Sequence, residues 1–456
     1  MEFREERDTM GPVRVPDTAY YGPQTQRARD NFSISGQGFP PAFISTLGML
    51  KKHMARVNAD LGLLPRDIAE AVARAAKEVQ YGKLDDQFIV DLFQTGSGTS
   101  THMNANEVIA GRANELLTGE RGGKDPVHPN DHVNLGQSSN DVIPTALHMS
   151  ASLRIERHLL PALRTLHTSL ADKGEEVAHV LKVGRTHLND AVPMRLGQEF
   201  SGWARQMELG IERIHDGCAR LREVALGGTA IGTGLNAHPA AAKEVVSRIS
   251  EETNVEFSVA KNRFEAQGCQ DAAVEASGAI RTVAVSLGKI ANDVRLLASG
   301  PRCGIGELVL PSLQPGSSFM PGKVNPVICE VAVQTMAQVM GNDAAIAVSG
   351  QGGYLQLLTM LPVITKNLLE SVEILGSAAL AMAEKCVDRL TADEKHCRAL
   401  VEESLALVTF LAPKIGYDKA AAVAKEAQAS GRTVHDLVME KGLLTQNEWD
   451  ALLQDI

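Results

Sequence analysis

The run Gly316-Ser317-Ser318-Phe319-Met320-Pro321-Gly322-Lys323-Val324-Asn325-Pro326 sets two hydroxyls, a lysine and an amide close together in a stretch that regular structure does not accommodate. Glycines at 316 and 322 and prolines at 315, 321 and 326 break any helix or central strand there. The spacing predicts a loop that closes over something polar. Lys323 supplies a cation, Asn325 a neutral donor, and Ser317 and Ser318 oxygens that donate or accept. That set suits a small carboxylate, with charge held at one end and a proton handled at the other. A phosphate would satisfy the same charge, so the loop alone defines only a class of ligand.

Two further loops have the same character. Thr95-Gly96-Ser97-Gly98-Thr99-Ser100-Thr101-His102 leads into a helix expected over 106–116, and hydroxyls with free amides at a helix N-terminus make an anion or polar-ligand site. Gly136-Gln137-Ser138-Ser139-Asn140-Asp141 precedes the first long helix, with Asn140 or Asp141 expected as its cap and Pro144 in its first turn. Capping by Ser and Thr is the plainer reading of either loop alone; their recurrence favours function. In Gly184-Arg185-Thr186-His187, ahead of another long helix, the histidine needs a partner to orient it, and Glu330 is the candidate.

Other polar clusters carry less. His128-Pro129-Asn130-Asp131-His132 lacks the spacing of a third metal ligand, so a turn capped by Asn130 or Asp131 is the better reading. Leu226-Gly227-Gly228-Thr229-Ala230-Ile231-Gly232-Thr233-Gly234 has neither nucleotide-binding spacing nor a βαβ context, and reads as a tight turn between bundle helices. No nucleophile elbow is present, and nothing in the sequence asks for a bound cofactor or metal.

The elements that must hold these loops are helical. The 456 residues are 44% hydrophobic and 22% charged, an ordinary globular balance, with aromatics at only 4%. A net charge of −10 argues against a nucleic-acid partner, although a local basic cluster can still bind a small anion. Six scattered cysteines without ligand spacing are expected to be reduced, in a cytoplasmic protein. The charged N-terminus is unlike a signal peptide, and no apolar run reaches the roughly 18 residues of a membrane span. Leu159, Leu163, Leu166 and Leu170 step by four and three, as do Leu196 to Ile214, Val283 to Leu297, and Ile364 to Cys386. These seams predict long helices crossing at roughly 20°. Glycines 197, 202, 210, 278 and 288 on the same helices predict close approach on several faces, hence oligomerisation. A turn-rich, then helical, domain is expected over 1–137, the bundle over 138–392, and a small helical domain over 393–456. There Thr433 with Asp436, and Thr445 with Glu448, mark helix starts.

Together the loops resemble the fumarase/aspartase superfamily. GSSFMPGKVNP at 316–326 looks like its signature, and TGSGTSTHMNANEV at 95–108, QSSND at 137–141, GRTHLNDA at 184–191 and GTAIGTGLN at 228–236 follow in the family's order and spacing. Met10-Gly11, Val15-Pro16 and Gln24-Thr25-Gln26-Arg27 resemble the family's opening. The resemblance implies a mostly α, three-domain subunit whose long central bundle forms the helical core of a homotetramer. It also implies active sites shared by three subunits, and a small dicarboxylate substrate. By the resemblance Ser317 is the base, and Lys323 with Asn325 holds the carboxylate that gains charge. Thr186, Ser138 and Ser139 place the carboxylates. Ser97, Thr99, Asn140 and His187 hold the leaving group, and Glu330 tunes His187.

Within the superfamily, Thr95-Gly96-Ser97-Gly98, Ser138-Ser139-Asn140 and Ile415-Gly416-Tyr417-Asp418-Lys419 are similar to the fumarase branch, which adds water to fumarate. Asp190-Ala191-Val192-Pro193 and Gly442-Leu443-Leu444-Thr445 resemble the aspartase branch, so loss of ammonia from aspartate is the alternative. A non-catalytic scaffold of the same fold is the remaining one. Two departures stand out: His102 occupies a position where the family usually has asparagine, and Asp125 one where it has an arginine. The family's second dicarboxylate site would use His128, Asn130 and Asp131, and an acid at 125 is expected to repel its ligand.

Overall fold

The computed structural model describes residues 2–454, and the fold is mostly α, as the periodicities predict. Among the described residues the strands pair only as two-stranded ladders, and no helix is long and apolar enough to cross a membrane. The three-and-four seams lie on helices Leu160–Glu176, Leu196–Cys218, Asp271–Leu297 and Leu361–Lys385, and their seam residues Leu163, Leu166, Phe200, Met207, Leu287, Val294, Leu368 and Val372 are buried. A further long helix, Val327–Ser349, follows the 316–326 loop. Three of the five bundle glycines sit where expected: a Cβ on Gly197, Gly210 or Gly288 would meet Ala178, Val283 or Met336. Gly202 and Gly278 face open space.

The chain divides into two compact units, and all five long helices contribute residues to both. The first unit runs to Pro161 and takes in Glu212–Thr282 and Ala337–Leu375. It opens on an antiparallel hairpin, Phe3–Asp8 with Gly11–Pro16, where the sequence showed only turns. The reason is physical: the more buried positions of the first strand are the charged Arg4, Glu6 and Asp8, so it lacks the period-two apolar pattern of a buried strand. Helix Pro41–Asp60 then packs on Arg66–Gln80 and on Ser139–Arg154, and helix Thr99–Thr118 is buried along most of its length.

The second unit comprises Ala162–Ile211, Val283–Met336 and the chain from Gly376 onward. Hairpin Leu181–Thr186 with Asn189–Arg195 is anchored at both levels of its first strand. Val183 enters the core of the C-terminal helices, among Val401, Leu411, Val434, Leu437 and Trp449. Lys182 points into a buried cluster: its ammonium lies 3.1 Å from Glu199 and 3.4 Å from Glu307, while Arg185 reaches Glu307 at 2.8 Å. Thr433 and Thr445 cap helices Val434–Glu440 and Gln446–Gln454 as the sequence predicts, the second with a reciprocal Thr445–Glu448 box.

Glu307 is wholly buried and faces two cations, so neutralising it leaves charge uncompensated in the interior. The Glu307→Gln variant is expected to lose on the order of 3 kcal/mol of stability. Thermal unfolding checks this; a melting temperature equal to the parent's would show that the cluster does not hold the hairpin.

Candidate functional site

In the first unit, two helix N-termini come together with their hydroxyls. Gly98 adopts φ 73° and starts the first helix at Thr99, well before the expected 106, so Ser97 and Thr99 flank its first turn. Their hydroxyl oxygens are 2.8 Å apart. The preceding residue fixes this loop: the Leu361 N–H donates to the Gly96 carbonyl at 3.0 Å, and a Cβ on Gly96 would lie 1.7 Å from the Thr359 carbonyl oxygen. Only glycine allows that approach.

The second helix starts at Ser139, with Ser138 as its cap rather than the expected Asn140 or Asp141. The Asn140 N–H donates to Ser138 Oγ at 3.2 Å, and the Ser138 N–H to Asp141 Oδ1 at 3.0 Å, a capping box. Pro144 lies beyond the first turn. Asp141 Oδ2 accepts from the N–H groups of Gly227 (2.9 Å) and Thr229 (3.0 Å), and Asn140 Nδ2 donates to the Ala230 carbonyl at 2.8 Å. Leu226–Gly234 is therefore not a turn between bundle helices. It follows the short strand Glu223–Val224 and is pinned to the start of helix Ser139–Arg154. Burial pushes the Asp141 carboxyl above its ordinary range, and the three amides and Lys51 oppose that.

Ser139 Oγ lies 2.9 Å from Nδ1 of His102, which is buried inside helix Thr99–Thr118. Nε2 of the same ring lies 2.7 Å from the ammonium of Lys51, also buried. Sequence reasoning missed Lys51. Its signal was there: a lysine four residues after Leu47, directly following the apolar stretch Leu47-Gly48-Met49-Leu50 of a helix, where a cation on the apolar face needs a reason.

The second unit holds the other set. Thr186 ends a strand, and His187 and Leu188, at φ 56° and 60°, make the two-residue turn of the hairpin. A turn of this kind needs positive φ at both positions, which neither residue prefers, and the strain costs on the order of 1–3 kcal/mol per residue. GRTH is thus a hairpin tip, with Thr186 and His187 exposed. The 316–326 segment is the expected loop and is tied by its own bonds. The Gly316 N–H donates to the Lys323 carbonyl at 2.7 Å, and Asn325 Nδ2 donates to the Gly316 carbonyl at 2.6 Å. Ser317 Oγ accepts from the N–H groups of Phe319 (3.1 Å) and Met320 (2.8 Å). Lys323 is exposed, and so is Phe319, at 90%. Glu330 lies in the first turn of helix Val327–Ser349. Among the described residues of one chain, no hydrogen bond or ion pair joins the His187 ring to Glu330.

At 128–131 the cap is His128, not Asn130 or Asp131. Its Nδ1 accepts from the N–H groups of Asn130 (3.1 Å) and Asp131 (3.2 Å) and starts the π-helical turn Pro129–Val133. Asp125 is exposed beside this turn in sequence. Chemically, the first unit offers hydroxyls and free amides at two helix starts, and the second a cation, an amide and a serine oxygen that accepts two backbone N–H groups. Both suit an anion rich in oxygen.

Residues 11–341 match the family described as Lyase, and residues 407–454 match the family described as Fumarase C C-terminus. The chain is 51% identical over 451 residues to Fumarate hydratase class II 2 of Bradyrhizobium diazoefficiens, covering 99% of this chain and 95% of that protein. It is 50% identical to the mitochondrial fumarate hydratase of Danio rerio, over 98% of this chain and 88% of the relative. The recombinant class II fumarase of Schistosoma mansoni is similar in structure, with a TM-score of 0.94 at 38% identity, covering 99% of this chain and 98% of that one.

Gly96 allows the loop carrying Ser97 to lie against Thr359, so Gly96→Ala is expected to destabilise by at least about 2 kcal/mol through overpacking. Denaturant unfolding measures it; an unchanged midpoint would mean the loop is free to move aside.

Proposed function

The chain belongs to the class II fumarate hydratase family, and on that premise we propose that it interconverts fumarate and (S)-malate by reversible anti addition of water. The reaction from malate removes a weakly acidic C3 proton next to a carboxylate, which is feasible only if the enediolate-like dianion is stabilised. Ser317 is the base in this reading. An ordinary serine is far too weak an acid to supply an alkoxide, so its oxygen needs donors around it. The observation that carries the proposal is the pair of backbone N–H groups from Phe319 and Met320 aimed at Ser317 Oγ. Lys323 and Asn325, on the same loop, hold the carboxylate that gains charge, the largest contribution in sites of this kind.

Ser138, Ser139 and Thr186 place the carboxylates. Ser97, Thr99, Asn140 and His187 hold the departing hydroxyl as water, with Glu330 orienting His187. Closure of the 316–326 loop excludes solvent and strengthens each contact. The dicarboxylate is bound in a homotetramer whose sites draw on three subunits. Two observations support this. The His187 ring and Glu330 do not meet within one chain, and bundle helices leave Val285, Val331, Met340 and Val348 exposed and Gly202 and Gly278 uncovered. The second dicarboxylate site is absent in this reading, because Asp125 is acidic and His128 Nδ1 is already engaged as a cap. A reducing compartment such as the cytoplasm fits Cys329 and Cys386, whose sulfurs lie 3.9 Å apart as free thiols.

Ultraviolet absorption of the conjugated dicarboxylate tests the reaction. It should appear with malate and stay flat with aspartate; the reverse would make ammonia the leaving group. Ser317→Ala should lower kcat by at least about two decades with KM near the parent value. Near-parental turnover would remove Ser317 as the base. Mixing inactive His187 and Ser317 variants after verified subunit exchange should restore part of the activity. No recovery would rule out sites shared between subunits.

A further inference from the structure

We propose that Lys51 is a positioning residue: it fixes the tautomer of the buried His102 and so commits the hydroxyl of Ser139 to donate to a substrate carboxylate. This rests on the reading that Ser139 binds substrate.

With Lys51 as the ammonium, the direction of every hydrogen bond in the cluster follows from groups that can only accept. Asn134 Nδ2 donates to the Gln137 carbonyl at 3.1 Å, and Gln137 Nε2 donates to the carbonyls of Val133 (3.0 Å) and Leu135 (3.3 Å). Both side-chain oxygens therefore face Lys51, at 3.2 Å from Asn134 and 2.8 Å from Gln137. An ammonium has three N–H bonds and no lone pair. Two serve these amides, and the third points to His102 Nε2 at 2.7 Å. Each donor has its acceptor, with the Asp141 carboxylate as the nearby counter-charge.

Nε2 then carries no proton. His102 is neutral, since burial and the adjacent ammonium hold its pKa well below the ordinary value. A neutral imidazole with a bare Nε2 has its proton on Nδ1, so Nδ1 donates to Ser139 Oγ at 2.9 Å. The serine oxygen accepts from the ring, and its own O–H is left to turn outward. In the opposite arrangement an uncharged Lys51 amine would accept from Nε2–H. Ser139 would then donate inward to Nδ1 and present only lone pairs to a carboxylate, which repels them. Burial pushes the Lys51 pKa well below its ordinary value, toward that neutral arrangement, in which two N–H bonds still serve the two amide oxygens; the charge on Asp141 opposes it, and the proposal requires the ammonium. Ser139 sits at the first residue of its helix, where the free amides already attract an anion, so the polarity of its hydroxyl decides whether it adds to that attraction.

The test is a double-mutant cycle read in fumarate KM and in the dissociation constant of succinate, a saturated dicarboxylate that cannot react. Ser139→Ala and Lys51→Met should each weaken both constants about tenfold, the value of one charge-assisted hydrogen bond, with a smaller change in kcat. The double variant should be no weaker than Ser139→Ala alone, because Lys51 acts only through that hydroxyl. His102→Leu carries the same expectation, so the proposal stands or falls on it if Lys51→Met does not assemble. If Ser139→Ala binds like the parent, the substrate-binding role of Ser139 is wrong and the inference goes with it. If Ser139→Ala weakens binding but Lys51→Met and His102→Leu do not, or if their losses add in full to that of Ser139→Ala, only the inference is overturned.

Discussion

The buried carboxylate of Asp141 is the fixed point of the first unit. It accepts three backbone N–H groups: one closes the capping box of its own helix, and two come from the loop after strand Glu223–Val224. A carboxylate removed from water is costly unless its lone pairs are filled, so the three donors are held in place by the same penalty they relieve. Ser138, Ser139 and Asn140 inherit their positions from that arrangement, because they are the residues between the cap and the anchor. The loop at 226–234 completes it.

The second unit solves the same problem with opposite charges. Lys182 and Arg185 are cations drawn inward by Glu307, and Val183 between them packs into the C-terminal core. One strand thus takes a salt-bridge cluster on one side and an apolar core on the other. A hairpin held that firmly at its base can carry a strained turn at its tip, where His187 and Leu188 take backbone conformations that favour glycine.

Much of this was legible in the sequence. The apolar steps of three and four located the long helices, since burial on one stripe leaves a periodic signature. The glycine and proline punctuation of 316–326 located a loop, because those residues exclude the alternatives. The N-terminal hairpin was not legible, because its first strand, Phe3–Asp8, places charged residues at its more buried positions and carries no apolar alternation. Caps were placed two or three residues off at Ser138 and His128, where several residues able to cap stand side by side and only tertiary partners choose among them. Lys51 and its link to Ser139 depend on helices far apart in sequence, and no local pattern encodes that meeting. The pairing of His187 with Glu330 has no counterpart within one chain.

The 316–326 loop is bonded to itself rather than to its surroundings: Gly316 to Lys323, Asn325 to Gly316, Ser317 to its own next turn. Its internal order is therefore set when the chain folds. Movement of such a loop toward a ligand is displacement of a finished piece, with few torsions left to freeze at each binding event. Because the donors to the serine oxygen come from Phe319 and Met320 of the same loop, any displacement of the loop as a unit would carry them with it.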